Sequence, residues 1–328
     1  MASLRRTHLP QLESCRYSRP PPPIGPALEL WIPITILAAL LQCVRTALQQ
    51  KLKALLSTNG ANFVRYLYGA PISLAMLGAI LVAGTALPMP DAKFFLLTGL
   101  AGLAQIVATS LLIYAFTLRN FTVGTAYSKT ETVQTAIFAT LLLAEPLNLW
   151  AWLGIGVSLF GVWVLSIRGD ARGLRNILLG WTQKSALVGI GAGAGFAVAA
   201  ISIRAASLSL PEGDFVVRAI LTLAVMNSLQ VLMLGGWLGL REREQLVRVV
   251  VTWRSSAIVG LLSVLGSACW ALAMTLENAA HVRALGQIEL VFTYIASRWL
   301  LKEDPLWGEI AGSVLVVAGV VLLLLRGI

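Results

Sequence analysis

Length, composition and charge narrow the field before any motif is read. Of 328 residues, 57% are apolar and 12% charged, with a mean hydropathy of +0.80; a soluble domain carries about twice that charged fraction, so a soluble fold is excluded. The net charge of +10 sits mostly in loops and the N-terminal tail, with no basic stretch interleaved with aromatics; nucleic acid is set aside as a partner, and the cations read as orientation signals and contacts to anionic lipid head groups.

Residues 1–30 are polar and proline-rich, with four prolines in a row from Pro20 to Pro23 and with Arg5, Arg6, Arg16 and Arg19. They lack the apolar stretch of a secretory signal and read as a disordered basic tail. Ten apolar stretches follow, at about 31–52, 60–84, 93–117, 121–143, 147–168, 184–208, 215–240, 254–276, 280–301 and 306–326. None alternates with the period of a membrane β-strand, so the expected class is an all-α membrane protein with ten transmembrane helices. Tryptophans near predicted ends, Trp31, Trp150, Trp152, Trp181, Trp237, Trp253, Trp299 and Trp307, read as an interfacial belt. The loop 169–183 divides the chain into a first five-helix half, 31–168, and a second, 184–328. Five is odd, so the second half enters the bilayer from the opposite side, and the expected design is a pair of inverted repeats. Counting Lys and Arg in loops puts 13 on one side and 6 on the other, with both termini outside; four of the six are in the basic tail, which argues the other way.

A repeat is visible at residue level. Residues 115–165 moved forward by 158 positions fall on 273–323 without a gap. Thr117 then meets Thr275, Ala126 meets Ala284, Glu131 meets Glu289, Glu145 meets Glu303, Gly154 meets Gly312 and Gly161 meets Gly319. Duplicated bundles with polar residues near mid-bilayer mark secondary transporters, where the repeat interface makes the substrate site.

The stretch LLLAEPLNLWAWLGIGVSLFGVWVLS and its second copy LLKEDPLWGEIAGSVLVVAGVVLLLL share an apolar helix end, a Glu in a tight turn, and a helix with glycines seven apart. They resemble the signature that closes each half of EamA-type proteins in the drug/metabolite transporter superfamily. The resemblance covers about residues 31–326. It implies the two-repeat fold and transport of a small organic molecule, a class that runs from amino acids and sugars to nucleotide-sugars and drugs. It implies nothing about which of these is carried.

Ionisable groups in hydrocarbon are costly and rarely idle. Gln42, Arg45 and Gln49 form one polar stripe on the first span; Arg65 lies on the second, Tyr127 and Glu131 on the fourth, Arg204 on the sixth, Arg218 on the seventh and Glu289 on the ninth. Six intramembrane cations (Arg45, Arg65, Lys129, Arg204, Arg218, Arg283) face two carboxylates, Glu131 and Glu289. The excess leaves guanidinium groups for a carboxylate, phosphate or sulfonate on a substrate, although internal pairing accounts for part of it. The expected substrate-binding residues are Arg45, Gln49, Arg65, Tyr127, Glu131, Arg204, Arg218 and Glu289, with the two glutamates binding an amine, carrying a coupling proton or orienting the arginines. Lys129 points away from Glu131 and reads as a partner for another helix. Arg283, near a span end, reads as snorkelling with Arg218. Tyr66, Tyr127 and Trp270 are candidates to wall the cavity, although a core or lipid-facing place is the favoured reading for each. Glu145 and Glu303 read as helix-start caps. GIGAGAG at 189–195 opens a membrane span with no strand before it, so it is not a dinucleotide loop. Its glycines, like Gly154, Gly161, Gly312 and Gly319, read as close-packing positions between halves or between the protomers of a homodimer.

Three cysteines without CxxC spacing and two histidines give no expected metal site or disulfide framework. No catalytic motif, cofactor motif or ATP-binding loop is present, so uphill transport must draw on a proton, ion or exchange gradient. The leading expectation is a multi-pass secondary transporter of the cell (inner) membrane. It carries a small anionic or zwitterionic metabolite by alternating access, with the bilayer as its other partner. The alternatives are an amino-acid or drug exporter using the glutamates, a lipid flippase, an intramembrane enzyme acting on a lipid phosphate, and a scaffold.

Overall fold

The computed structural model describes residues 30–118, 127–166, 184–293, 295 and 307–326. The tail, the 169–183 loop and the turn with Glu303 lie outside them. Among the described residues the regular structure is all helical: α1 (Trp31–Leu52), α2 (Thr58–Val82), α3 (Ala92–Leu118), α4 (Glu131–Leu142), α5 (Leu149–Ser166), α6 (Lys184–Ser209), α7 (Phe215–Arg241), α8 (Arg243–Val251), α9 (Trp253–Leu276), α10 (Ala279–Leu285) and α11 (Trp307–Arg326). Six of these, α1, α2, α3, α6, α7 and α9, are long and apolar enough to cross a bilayer. Even α1, with 22 residues, spans about 33 Å at 1.5 Å per residue, enough for a hydrocarbon core of about 30 Å.

Helix starts follow local chemistry. Ser57, Asp91, Asn148, Asp214 and Asn278 each accept a backbone N–H two or three residues on, at 2.7–3.1 Å, which satisfies donors that a helix start leaves open. At the start of α5 that role falls to Asn148, so Glu145 is not the cap expected there; its carboxylate is held by Arg204 instead. Asp214 is the cap of α7, its carboxylate accepting from the Val217 N–H.

Two predicted spans are interrupted. In the fourth, Tyr127 and Ser128 are helical, Lys129 and Thr130 turn, and α4 begins at Glu131. In the ninth, α10 ends at Leu285, a 3₁₀ turn covers Gly286–Ile288, and helix resumes at Glu289. The breaks fall at corresponding repeat positions, and each puts a glutamate at the start of a new helical stretch, where the helix dipole favours an anion. The expectation of two continuous spans fails here; at the second break Trp270 packs against Gly286 so closely that a Cβ there would collide with its ring. The segment read as a loop after α7 also holds a helix, α8. Its buried Val249 faces the bundle, while Val247, Val250 and Val251 are exposed.

The ends of the bundle differ in charge. One end gathers the close of α1, α3 and α7, all of α8, and the starts of α2, α6 and α9, with Lys51, Lys53, Lys184, Arg241, Arg243, Arg248 and Arg254. The other holds Asp91, Glu145, Glu212, Asp214 and Glu277. Each end has its own apolar cluster. Leu52, Phe63, Leu234, Leu238 and Val249 pack at the basic end, and Trp31, Ile220, Leu223, Met274 and Leu285 toward the acidic end. Trp31 is 1% exposed and belongs to this core, not to the interfacial belt; Trp150, Trp152, Trp237 and Trp253 are exposed.

Water expulsion drives little association between helices inside a bilayer, so small residues and polar contacts carry it. The helices α5 and α11 cross backbone to backbone: a Cβ on Gly161 would lie 2.7 Å from the Val316 nitrogen, and one on Gly319 would lie 2.5 Å from the Ser158 nitrogen. The glycine faces thus join the two halves within one chain. Gln230 donates to Gln105 at 2.9 Å and Asn62 to the Ile106 carbonyl at 3.0 Å, tying α7 to α3 and α2 to α3.

Candidate functional site

Between the two apolar clusters lies a polar cavity of about 40 Å³. Its walls come from both halves: Gln42, Arg45 and Thr46 of α1, Arg65 of α2, Gln105 of α3, Ser128, Lys129 and Glu131 at the first helix break, Met226 of α7, Ser263 and Trp270 of α9, Arg283 of α10, and Glu289 at the second break. Its six charged side chains are each no more than 6% exposed.

The carboxylates are claimed across the repeat boundary. Lys129 Nζ lies 2.6 Å from Glu289 Oε2, and Arg283 Nη1 lies 3.5 Å from Glu131 Oε1. Each glutamate of one half thus meets a cation of the other; Lys129 lies in the first helix break and Arg283 just before the second. Glu289 also accepts a 2.7 Å hydrogen bond from Gln42, whose carbonyl oxygen accepts from the Trp270 indole at 2.9 Å. The Arg283 guanidinium stacks over the same indole, 4.7 Å from the ring centroid, a cation–π contact strengthened by burial. Gln287 donates to Thr132 at 2.8 Å and is bonded to Ser158, pinning the second break to α4 and α5.

Two guanidiniums have no such partner. Arg45 donates to Thr46 at 3.0 Å, and Arg65 donates to Thr109 at 2.7 Å and lies over the Tyr66 ring. Neither forms an ion pair with a described residue, and the Nε of each is buried without a hydrogen-bond acceptor. With four cations against two carboxylates, the cavity holds an excess of two positive charges. Desolvated guanidiniums with unused donors are built to receive an oxyanion.

The structure gathers Arg45, Arg65, Glu131 and Glu289 of the expected binding residues into one cavity. Gln49 donates to the Ala61 carbonyl at 2.7 Å, locking α1 to α2, and is not among the lining residues. Tyr127 and Arg218 do not line it either. Arg204 sits at the acidic end with all its nitrogens engaged. Nε reaches both Glu145 oxygens at 2.8 and 3.0 Å, Nη2 reaches Oε1 at 2.7 Å, and Nη1 donates to the Met274 and Glu277 carbonyls at 2.8 and 2.5 Å. This Arg204 joint clamps α6, the turn before α5 and the close of α9, with its charge already paired to Glu145. Beside it, burial pushes the Glu277 carboxyl up, but hydrogen bonds from His281 and the Asn278 N–H, with the charges of His281 and Arg204, outweigh burial and hold it below the ordinary value.

A second polar joint closes the basic end. Glu242, capping the turn between α7 and α8, accepts from Ser57 Oγ at 2.5 Å and from Asn59 at 3.0 Å, while Gln245 accepts from the Ser57 N–H at 2.8 Å. Tyr68 donates to the Val249 carbonyl at 3.1 Å. Both joints link the two halves, one toward each end of the bundle.

The model of the EamA-like transporter family matches residues 29–167 and again residues 183–325. The chain belongs to the EamA-like transporter family. Among solved structures, a chain described only as "Crystal structure of protein" superposes with a TM-score of 0.62 over 92% of this chain and 97% of its own, at 15% identity; that likeness establishes the fold alone. No curated protein matches. For this EamA-like transporter, sequence reasoning missed Lys129, Arg283, Gln42 and Trp270 as site residues. Gln42 was signalled by the polar stripe it shares with Arg45. Arg283 is 5% exposed and does not snorkel, because the break after Leu285 turns it toward Trp270. Trp270 was a candidate cavity wall set aside in favour of a core or lipid-facing place; the structure puts it in the cavity lining.

Proposed function

We propose that this chain is a secondary active transporter of the cell (inner) membrane. In this reading ten helices in two inverted five-helix repeats carry a small anionic or zwitterionic organic metabolite by alternating access around the polar cavity. One observation carries the reading: Arg45 and Arg65 are buried in a closed chamber without a carboxylate from the described residues, beside two ion pairs that already use both glutamates. An anionic group on the cargo neutralises the excess. An amine-binding role for the glutamates is less well supported, since a cationic cargo would have to displace Lys129 and Arg283. A flippase reading is less well supported because the arginines sit in a chamber closed by buried side chains, away from the bundle's lipid-facing grooves. The match to a transporter family favours transport over chemistry.

A volume of about 40 Å³ holds one or two waters at about 30 Å³ each, so a metabolite enters only when one mouth opens. The two polar joints are the natural gates: opening either one exposes the cavity to one side, and opening both would leak. Transport therefore alternates between rupture of the Glu242 joint and rupture of the Arg204 joint. The basic end faces the cytoplasm in this scheme, as the loop charges favour. Coupling to a proton, an ion or a counter-transported anion supplies the driving force.

The test is uptake by proteoliposomes of a panel of carboxylates, phosphates, sulfonates, zwitterions and amines. Arg45→Gln and Arg65→Gln are each expected to lose at least tenfold of anion uptake, chiefly through KM. Uptake confined to amines, or anion uptake unchanged in both variants, refutes the assignment.

A further inference from the structure

A second cavity, of about 490 Å³, opens sideways between α2, α3 and α7 near the basic end. Its walls include Leu103, Val107, Tyr114, Met233 and Trp237, all 37–51% exposed. These side chains face the bilayer, so the groove is in contact with acyl chains. At about 30 Å³ per water-sized group it accommodates on the order of sixteen such units, the scale of one acyl chain.

One end of the groove is chemically distinct. There Ser110 donates to Asn59 Oδ1 at 3.3 Å, and two lysines outside the groove's own lining reach the last turns of α3: Lys184 holds its ammonium 5.6 Å from the ring centroid of Tyr114, a lining residue, and Lys53 donates to the carbonyl of the adjacent Ile113 at 3.2 Å. Neither lysine has a carboxylate partner among the described residues. An apolar slot with two cations reaching α3 beside its end matches the two parts of one molecule, a fatty chain and an anionic head group.

We propose that this groove is a specific site for an anionic phospholipid, with one acyl chain between α2, α3 and α7 and the head-group phosphate at Lys53 and Lys184. The site touches the gate at the basic end. Asn59, at the head of the groove, also donates to Glu242, so the lipid braces the joint between the halves. A zwitterionic lipid fills the slot with its tail but brings its own cation to the lysines, and binds more weakly.

The experiment is thermal unfolding of the purified chain in detergent with added dioleoylphosphatidylglycerol or dioleoylphosphatidylcholine at equal mole fraction. The glycerol lipid is expected to raise the midpoint on the order of a few degrees more than the choline lipid. Lys184→Gln, a change at an exposed side chain, is expected to shrink that difference, and Lys53→Gln/Lys184→Gln to abolish it while choline-lipid stabilisation remains. Should the double variant not fold, native mass spectrometry of wild type and Lys184→Gln counts retained glycerol lipid, and at least a threefold lower occupancy is expected in the variant. Equal effects of the two lipids on wild type, or a preference and an occupancy untouched by loss of the lysines, overturn the proposal. So does a lipid-insensitive dimer, which would place a second copy in the groove. None of these readouts depends on the cargo.

Discussion

Replacing Lys129 by Gln tests whether the cavity's charge pairs form a reciprocal lock. Lys129 Nζ stands 2.6 Å from Glu289 Oε2 with both side chains 5% exposed. Coulomb attraction at that distance is about 6 kcal/mol at an effective dielectric near 20, against a desolvation penalty of several kcal/mol for each ion. The pair is thus worth little net, but one stranded partner is costly. Lys129→Gln leaves Glu289 with only the Gln42 amide, and the expected loss is about 3–5 kcal/mol. Adding Glu289→Gln removes the stranded charge, so the double variant is expected to recover most of that loss; because Glu289→Gln alone strands Lys129 in turn, the coupling energy in the cycle is expected to be at least about 3 kcal/mol. The assay is denaturant unfolding in detergent across wild type, both single variants and the double variant. A Lys129→Gln cost below about 1 kcal/mol, or a double variant whose loss is the sum of the two singles, refutes the lock.

Arg204→Gln is expected to destabilise by about 2–3 kcal/mol, since it leaves Glu145 and two carbonyls without their donor, while anion selectivity stays as in wild type; unfolding and competition uptake separate this from Arg45→Gln. Gly319→Ala puts a methyl 2.5 Å from the Ser158 nitrogen and is expected to cost about 1–3 kcal/mol by forcing α5 and α11 apart, read by thermal unfolding. Because the folded-state pKa of Glu277 is depressed, its contribution is present above the ordinary glutamate value of 4.5 and is lost as pH falls below it through the folded-state value. Stability measured from pH 6 down to pH 3 is therefore expected to decline less steeply in Glu277→Gln than in wild type, about one proton less taken up on unfolding. Ser57→Ala/Glu242→Gln is expected to raise labelling of Ser263→Cys by a membrane-impermeant thiol reagent added from the basic side at least threefold, in a background without Cys15, Cys43 and Cys269; unchanged labelling refutes the gate at that end.

Much of the fold was legible because membrane helices announce themselves by length and hydropathy. The predicted ends at Trp31, Lys184, Phe215 and Leu276 fall within a residue of those observed. The interruptions at Lys129–Thr130 and Gly286–Ile288 were not legible. Polar runs such as Ser-Lys-Thr-Glu-Thr at 128–132 fit a helix face lining a cavity as readily as a break, and the close contact of Trp270 with Gly286 exists only in the folded bundle. Helix α8 was hidden for the opposite reason: nine residues with four charged or amide side chains look like a loop until Val249 is seen buried. At the site, sequence identified the right kinds of residue and could not say which would meet. The partners of Glu131 and Glu289 lie 152 and 160 positions away, and such pairing is fixed only when both halves close.

The repeat also misleads in one informative respect. Arg45 and Arg204 stand in matching sequence, CVRTA and SIRAA, yet one faces the cavity and the other clamps an end. Duplication supplies each half with the same residues, but a closed chamber has one centre and two mouths, so equivalent side chains meet different surroundings. Arg204 finds Glu145 and two exposed carbonyls at the close of α9, where α9 gives way to α10 at Asn278. Arg45 has only Thr46, and its charge remains unspent. If the role follows from these neighbours and not from the repeat, Glu145→Gln weakens the Arg204 joint without drawing Arg204 into the cavity, so anion KM stays fixed while stability falls. A changed KM in that variant would mean that Arg204 exchanges between the two places, and that the guanidiniums of both repeats serve the cargo in turn.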